Sequence, residues 1–85
     1  MKTFYNLKNQ PIGQLKDDIF RKEVSGSKHL MKIYDAWGLD SKVVNELVEC
    51  GCKELRIKDK DTSIVYRTLL KDFIAKGMVK NFATE

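Results

Sequence analysis

The residues best able to act as nucleophiles or metal ligands are few, and they form no recognised motif. Cys50 and Cys52 flank a single glycine, and the chain has one histidine, His29. Structural zinc needs four ligands, and a disulfide framework needs more than one pair of cysteines. We therefore expect two reduced thiols, no metal and no cofactor, with a redox or metal role for the cysteines as the alternative.

One run of acidic residues is similar to the start of a calcium-binding loop. Asp59, Asp61 and Ser63 occupy the positions of the first three oxygen ligands. Position six of such a loop must be glycine and position twelve a bidentate glutamate, but here they are Ile64 and Leu70. The segment is therefore predicted to be a polar hairpin turn.

The motifs of common enzyme classes are missing from the sequence. It contains no glycine-rich phosphate loop, no nucleophile elbow and no zinc-protease helix motif. His29 could act as a general base only with an orienting partner and a cleft, and it fits equally a solvated or capping side chain in the first turn of a helix. We expect the protein not to be an enzyme.

Positive charge is spread along the chain. The net charge is +4, from 16 basic and 12 acidic residues, and residues 1–40 and 41–85 contribute equally to it. A nucleic-acid-binding arm would form a block of basic residues, and no block is present. Any basic surface must therefore be assembled by folding.

The N-terminal part of the chain predicts strands. Residues 1–8 read as a short strand, ended by a turn at residues 9–11. Residues 12–24 fit either a hairpin turning at Asp17 and Asp18 or an amphipathic helix, and we favour the hairpin.

The middle of the chain predicts two capped helices. Leu30, Ile33, Tyr34 and Trp37 have the spacing of one helical face, and Gly38 follows where a helix C-terminus needs a left-handed residue. Asp40 then caps a second helix, which ends at Gly51 and has an apolar face listed as Val43, Val44, Leu47, Val48 and Cys50.

The last third of the chain predicts a second hairpin and a short helix. Residues 53–67 alternate in polarity around a turn at 59–62. Thr68 is expected to cap a helix that ends at Gly77, and residues 78–82 form either a final strand or an apolar tail.

We therefore predict one α+β domain over residues 1–85, with an N-terminal hairpin or meander, two capped helices, a second hairpin and a short C-terminal helix. The ending at Glu85 leaves open that the chain is a trimmed fragment. The predicted core is Leu30, Ile33, Tyr34, Trp37, Val44, Leu47, Val48, Leu55, Ile57, Tyr66, Leu70, Phe73 and Ile74. With no secretory signal and no apolar run of about 20 residues, we expect a cytoplasmic protein without a membrane partner.

Two functional hypotheses follow. The first is a small protein-interaction module that binds a partner protein or itself, through a strand edge in residues 1–8 or after Gly77. The second is a DNA-binding protein of winged-helix type, with a helix-turn-helix over residues 27–50 and a wing over 53–67. Its predicted contacts are Lys42, Asn45, Lys53, Arg56, Lys58, Lys60 and Arg67.

Overall fold

The computed structural model describes residues 1–26 and 33–79, which form a small α+β fold with a mixed sheet. Its elements in chain order are β1 (Lys2–Tyr5), β2 (Pro11–Lys16), β3 (Ile19–Val24), a 3₁₀ segment (Ile33–Trp37), α1 (Ser41–Glu49), β4 (Glu54–Asp59), β5 (Val65–Leu69) and α2 (Leu70–Ala75). The five strands lie in the order β1-β2-β3-β4-β5. The predicted α+β class is confirmed.

The N-terminal hairpin is confirmed, and a helix over residues 12–24 is excluded. Strands β2 and β3 pair antiparallel, with Gln14 opposite Arg21. Asp17 and Asp18 both have positive φ, 53° and 60°. Positive φ at both central residues is the mark of the mirror-image turn that two-residue hairpins prefer, and aspartate tolerates it better than most residues.

A parallel pair joins the two halves of the sheet. Strand β4 lies beside β3 in the same direction, with Phe20 next to Leu55, whereas β5 returns antiparallel to β4. A parallel connection requires a crossover, which here includes the 3₁₀ segment and α1. This pairing was not among the sequence-based predictions, and it decides which charged residues become neighbours.

The core lies between one face of the sheet and the helices. Phe4 and Phe20 meet edge to face with ring centroids 5.8 Å apart, and Trp37 stacks on Phe73 at 5.4 Å. The other buried apolar residues are Val24, Leu39, Val43, Val44, Leu47, Cys52, Leu55, Ile57, Leu70 and Val79. Burial of each large side chain contributes about 1.5–3 kcal/mol to folding, so this single cluster holds the fold together.

Gly13 allows β2 to approach β3 closely beneath Phe20. A Cβ at this position would lie 2.5 Å from the Phe20 ring and 2.7 Å from the Arg21 carbonyl oxygen. Both distances are too short for a carbon atom, so Gly13 is required by packing rather than by its backbone conformation.

Asp40 caps α1 as predicted. One of its carboxylate oxygens accepts the backbone N–H of Val43 at 3.1 Å, and the other accepts that of Leu7 at 2.7 Å. The same buried carboxylate therefore satisfies a free N–H group of the helix and anchors the loop between β1 and β2.

The helical predictions need two corrections. Residues 27–32 of the first predicted helix lie outside the described residues, and its described part, Ile33–Trp37, is a 3₁₀ helix instead of an α-helix. Thr68 lies inside β5 and does not cap α2, which follows the strand directly with no side-chain cap. Because β5 continues into α2 without a turn, no loop residue is available there as a cap.

Half of the buried cluster was predicted, namely Trp37, Val44, Leu47, Leu55, Ile57, Leu70 and Phe73. The side chain of Ile33 lies outside what the structure describes. Val48 is 54% exposed, because it lies outside the buried face formed by Val43, Val44 and Leu47. Cys50 is exposed too. Tyr34, Tyr66 and Ile74 are only partly buried against the cluster, and Leu30 lies outside the described residues. Phe4 and Phe20, both fully buried, were not in the predicted core.

The C-terminal apolar residues continue the core. Met78 packs against it and Val79 is buried, as expected for an apolar tail; the rest of residues 78–82 lies outside the described residues. Within residues 1–26 and 33–79, no helix combines the length and apolar character needed to cross a membrane.

Candidate functional site

The face of the sheet opposite the core is the candidate functional surface. Side chains alternate between faces along a strand, and directly paired residues point the same way. Because Phe20 and Leu55 point into the core, their neighbours along β3 and β4 point away from it. The described helices bury their apolar side chains in the core on the opposite side. We call this outward surface of β2–β5 the open face; its registered residues are Gln14, Lys16, Ile19, Arg21, Glu23, Glu54, Arg56, Lys58, Val65, Arg67 and Leu69.

Three arginines form a row across the open face. Arg21 on β3 pairs with Arg56 on β4, and Arg56 pairs with Arg67 on β5. They are the only arginines in the chain. Neighbouring strands lie about 4.8 Å apart, so the row spans about 10 Å. We refer to these three residues as the arginine row.

One carboxylate partly neutralises the arginine row. Glu54 accepts hydrogen bonds from Arg56 Nε at 2.5 Å and from Arg67 Nε at 3.3 Å. The hydrogen bond from Arg56, followed by that from Arg67, holds the pKa of Glu54 below its usual value. Arg21 donates only to the Lys16 carbonyl oxygen, at 3.4 Å, and forms no ion pair among the described residues. Its guanidinium thus has donors left for a ligand.

Most of the net charge of the protein lies on this surface. The registered residues of the open face include five cations and two carboxylates, a net charge of +3 against +4 for the whole chain. Apart from Glu54, the remaining carboxylate is Glu23, which is exposed. Folding therefore gathers on one face a charge that the sequence distributes evenly.

A shallow groove of about 570 Å³ runs across the open face. Its lining residues are Ile12, Gly13, Gln14, Arg21, Lys22, Glu23, Arg56, Lys58 and Val65. Cationic groups occupy its middle, and the apolar side chains of Ile12 and Val65 belong to strands at either side. Lys22 borders the groove but pairs with buried Ile57, so it belongs to the core face of β3, and burial there lowers the pKa of its ammonium group. The groove thus offers both cationic and apolar contacts.

The structure brings together only part of the predicted nucleic-acid-binding set. Arg56, Lys58 and Arg67 share the open face, whereas Lys53 and Lys60 lie just before and just after β4. Lys42 and Asn45 are on α1, in the layer on the other side of the core.

The side chain of Lys42 is already engaged within the protein. Its Nζ donates to the Tyr5 carbonyl oxygen at 3.1 Å and lies 3.8 Å from Glu46 Oε1. Lys42 and the cations of the β4–β5 hairpin thus lie in different layers of the fold, and the winged-helix contact set remains a prediction.

Arg21 and Lys16 are the cationic residues of this surface that the sequence-based prediction missed. Alternation in residues 20–24 indicates that Arg21 faces away from a buried side. The sequence carries no signal that β3 pairs with β4, however, because the two strands are separated by a crossover and not by a tight turn.

The cysteines and acidic turn residues are part of the scaffold. Cys50 is exposed, with the Lys2 ammonium 3.6 Å from its sulfur, and burial raises the pKa of the Cys52 thiol. Asp59 accepts the backbone N–H of Asp61 at 2.8 Å, as expected of a polar hairpin turn. Within residues 1–26 and 33–79, no three His, Cys, Asp or Glu residues are grouped so as to hold a metal ion.

Comparison of the chain with protein-family models, curated proteins and solved structures finds no match. The open face therefore carries the main functional indication among the described residues. Its strongest single feature is the arginine row.

Proposed function

We propose that this protein is a non-enzymatic binding module whose open face binds the phosphate backbone of nucleic acid. The observation that carries the proposal is the arginine row. A guanidinium presents a planar fork of donors that matches a phosphate, and neutralising several phosphates releases counterions and so drives binding.

The arginine row is not what the fold itself requires. Like charges placed directly opposite one another on paired strands destabilise a sheet, so a sheet with only a structural role would alternate their signs. Glu54 relieves this repulsion for Arg56 and Arg67 but makes no hydrogen bond to Arg21. Arg21 forms no ion pair within residues 1–26 and 33–79, and its position beside two other arginines, in a chain that otherwise uses lysine, supports a role in binding an anion.

The open face is a better candidate than the helix surface of the winged-helix hypothesis. The outer side of α1 carries Glu46 and Glu49 beside Lys42, and these carboxylates would repel phosphate. On the open face the cations outnumber the carboxylates. We therefore retain nucleic-acid binding from the sequence-based hypotheses and move the contacts from α1 to the sheet.

The test is a fluorescence-anisotropy titration with labelled single-stranded and duplex DNA of mixed sequence at two salt concentrations. We expect affinity to fall steeply as salt rises. Arg21→Gln should weaken binding tenfold or more, because a charge-assisted hydrogen bond contributes about 1.5–3 kcal/mol. It should also reduce the salt slope by about 1.

The matched control is Lys71→Gln, which removes the same charge from exposed Lys71 on α2. It should leave affinity nearly unchanged. Arg21→Gln should not lower thermal stability, because it removes a repulsive charge from the row. The proposal is wrong if the wild-type protein binds no nucleic acid at low salt, or if both variants weaken binding equally.

A protein partner is the second candidate, supported by a separate observation. Strand β5 is at the edge of the sheet order, and Ile64, Val65 and Leu69 are each about half exposed along it. An edge strand with apolar side chains can pair with a strand from another chain. If two copies pair in this way, sedimentation should show concentration-dependent dimers that Ile64→Asp removes; a monomer at all concentrations contradicts self-association.

A further inference from the structure

The open face has an apolar component that phosphate binding does not use. Val65 is 48% exposed and pairs with Lys58, two residues along β5 from Arg67. Alternate residues on a strand are about 6.6 Å apart, so Val65 lies one row beyond the arginine row. Ile12 also lines the groove, on its opposite side, although its partly buried side chain packs against the core cluster as well.

The dimensions of the sheet decide which form of nucleic acid can reach this second row. The four strands β2–β5, spaced about 4.8 Å apart, give an open face about 14 Å wide, whereas the major groove of duplex DNA is about 12 Å wide. A duplex can therefore rest its phosphates on the face but cannot bring its stacked bases onto it. A single strand can turn its bases toward the protein while its phosphates follow the arginine row.

We propose that the open face selects single-stranded nucleic acid, with phosphates along the arginine row and bases against Val65 and Ile12. The inference rests on the proposed function and adds the form of the nucleic acid and its orientation. The strand would cross β3, β4 and β5 instead of running along them.

The side chains of the open face also indicate what kind of base recognition to expect. Its registered residues include no aromatic side chain, so bases would contact aliphatic groups instead of stacking on rings. Ring stacking supplies much of the affinity in many single-strand-binding proteins. Binding here should therefore be modest, salt-dependent and tolerant of base sequence.

The experiment compares one mixed-sequence single strand with the duplex of the same sequence, and uses inorganic polyphosphate as a competitor without bases. The test variant is Val65→Thr, which keeps the shape and strand preference of valine but adds a hydroxyl. The matched control is Val48→Thr on α1, where Val48 is 54% exposed. Circular dichroism melting of each variant establishes that the fold is retained.

We expect the wild-type protein to bind the single strand more tightly than the duplex, and polyphosphate to compete less effectively than the unlabelled single strand. Val65→Thr should weaken single-strand binding about threefold and leave duplex binding unchanged. Val48→Thr should change neither.

The failure of this inference can be told apart from failure of the proposed function. Equal binding of both forms, with Val65→Thr and Val48→Thr indistinguishable, overturns single-strand selection but leaves phosphate binding standing. A complete lack of binding to either form overturns both.

Discussion

The two faces of one sheet present opposite chemistry from the same strands. On β3 and β4 the inward residues include Phe20 and Leu55, which are fully buried, while the next residues outward include Arg21 and Arg56. The inner face is apolar and covered by helices. The open face gathers a net charge of +3 and, among the described residues, has no helix packed on it.

The difference shows which residues the fold needs and which it merely carries. Removing an inner side chain leaves a cavity, because the packed core cannot close over it. Removing an outer arginine relieves repulsion and should cost little. Residues that are unfavourable for the sheet yet lie side by side are those best explained by a ligand.

The largest expected effect is on the inner face, at Trp37. This residue is 5% exposed, stacks on Phe73 and packs against Tyr66 at 6.2 Å. Trp37→Ala should lower the free energy of unfolding by about 3–5 kcal/mol, measured by urea denaturation followed by circular dichroism.

Trp37→Phe is the informative control for that substitution. Among the described residues, the buried indole N–H of Trp37 has no hydrogen-bond partner, so Trp37→Phe removes no hydrogen bond there and should be much better tolerated. Arg67 lies on the open face and its side chain is 60% exposed. If Arg67→Ala lowers the free energy of unfolding as much as Trp37→Ala does, the proposed difference between the two faces of the sheet is wrong.

An intermediate effect is expected at Asp40, which joins the β1–β2 loop to α1. Asp40→Ala leaves the N–H groups of Val43 and Leu7 without their acceptor and should reduce stability by about 1–2 kcal/mol. Asp40→Asn keeps one acceptor oxygen and should lose less. Equal urea midpoints for the wild type and Asp40→Ala would show that the cap contributes nothing.

The smallest expected effect, on the open face, concerns Glu54 and has a defined pH dependence. Hydrogen bonds from Arg56 and Arg67 lower the pKa of Glu54 in the folded state, so the folded protein holds fewer protons than the unfolded chain as this group titrates. The resulting stability is present above the unfolded pKa of about 4.3 and is lost as pH falls through the lower folded value.

Thermal melts between roughly pH 5 and pH 3 measure this contribution. Glu54→Gln should show a shallower loss of stability than the wild type, whereas Glu23→Gln, the same change elsewhere on the open face, should follow the wild-type curve. Glu54→Gln should also bind nucleic acid more tightly, because it frees Arg56 and Arg67. Parallel pH curves for the two variants would rule out this role for Glu54.

Much of the fold followed from local signals in the sequence. Asp17 and Asp18 marked the first hairpin, Asp40 marked the start of α1, and the alternation after Gly51 marked β4. Each of these depends on residues close together in the chain, where turn and capping chemistry act. Predictions failed at Thr68 and Val48, where neighbouring elements decide whether a residue continues a strand or is covered.

The sequence predicted only part of the candidate site, because the rest depends on contacts between distant elements. Arg56, Lys58 and Arg67 lie on one hairpin, so their alternation in the sequence already places them on a common face. Arg21 belongs to the same surface because β3 pairs in parallel with β4, which only the structure shows. Lys42 does not belong to it, because α1 lies on the opposite side of the core.

The sequence by itself therefore determined two hairpin turns, the helix cap, half of the core and the even spread of charge along the chain. The tertiary structure alone decided which of those charges meet. Strand order depends on how the apolar faces of distant segments pack together, and that packing is a property of the whole core and not of any local stretch. The arginine row exists because this core places β3 beside β4.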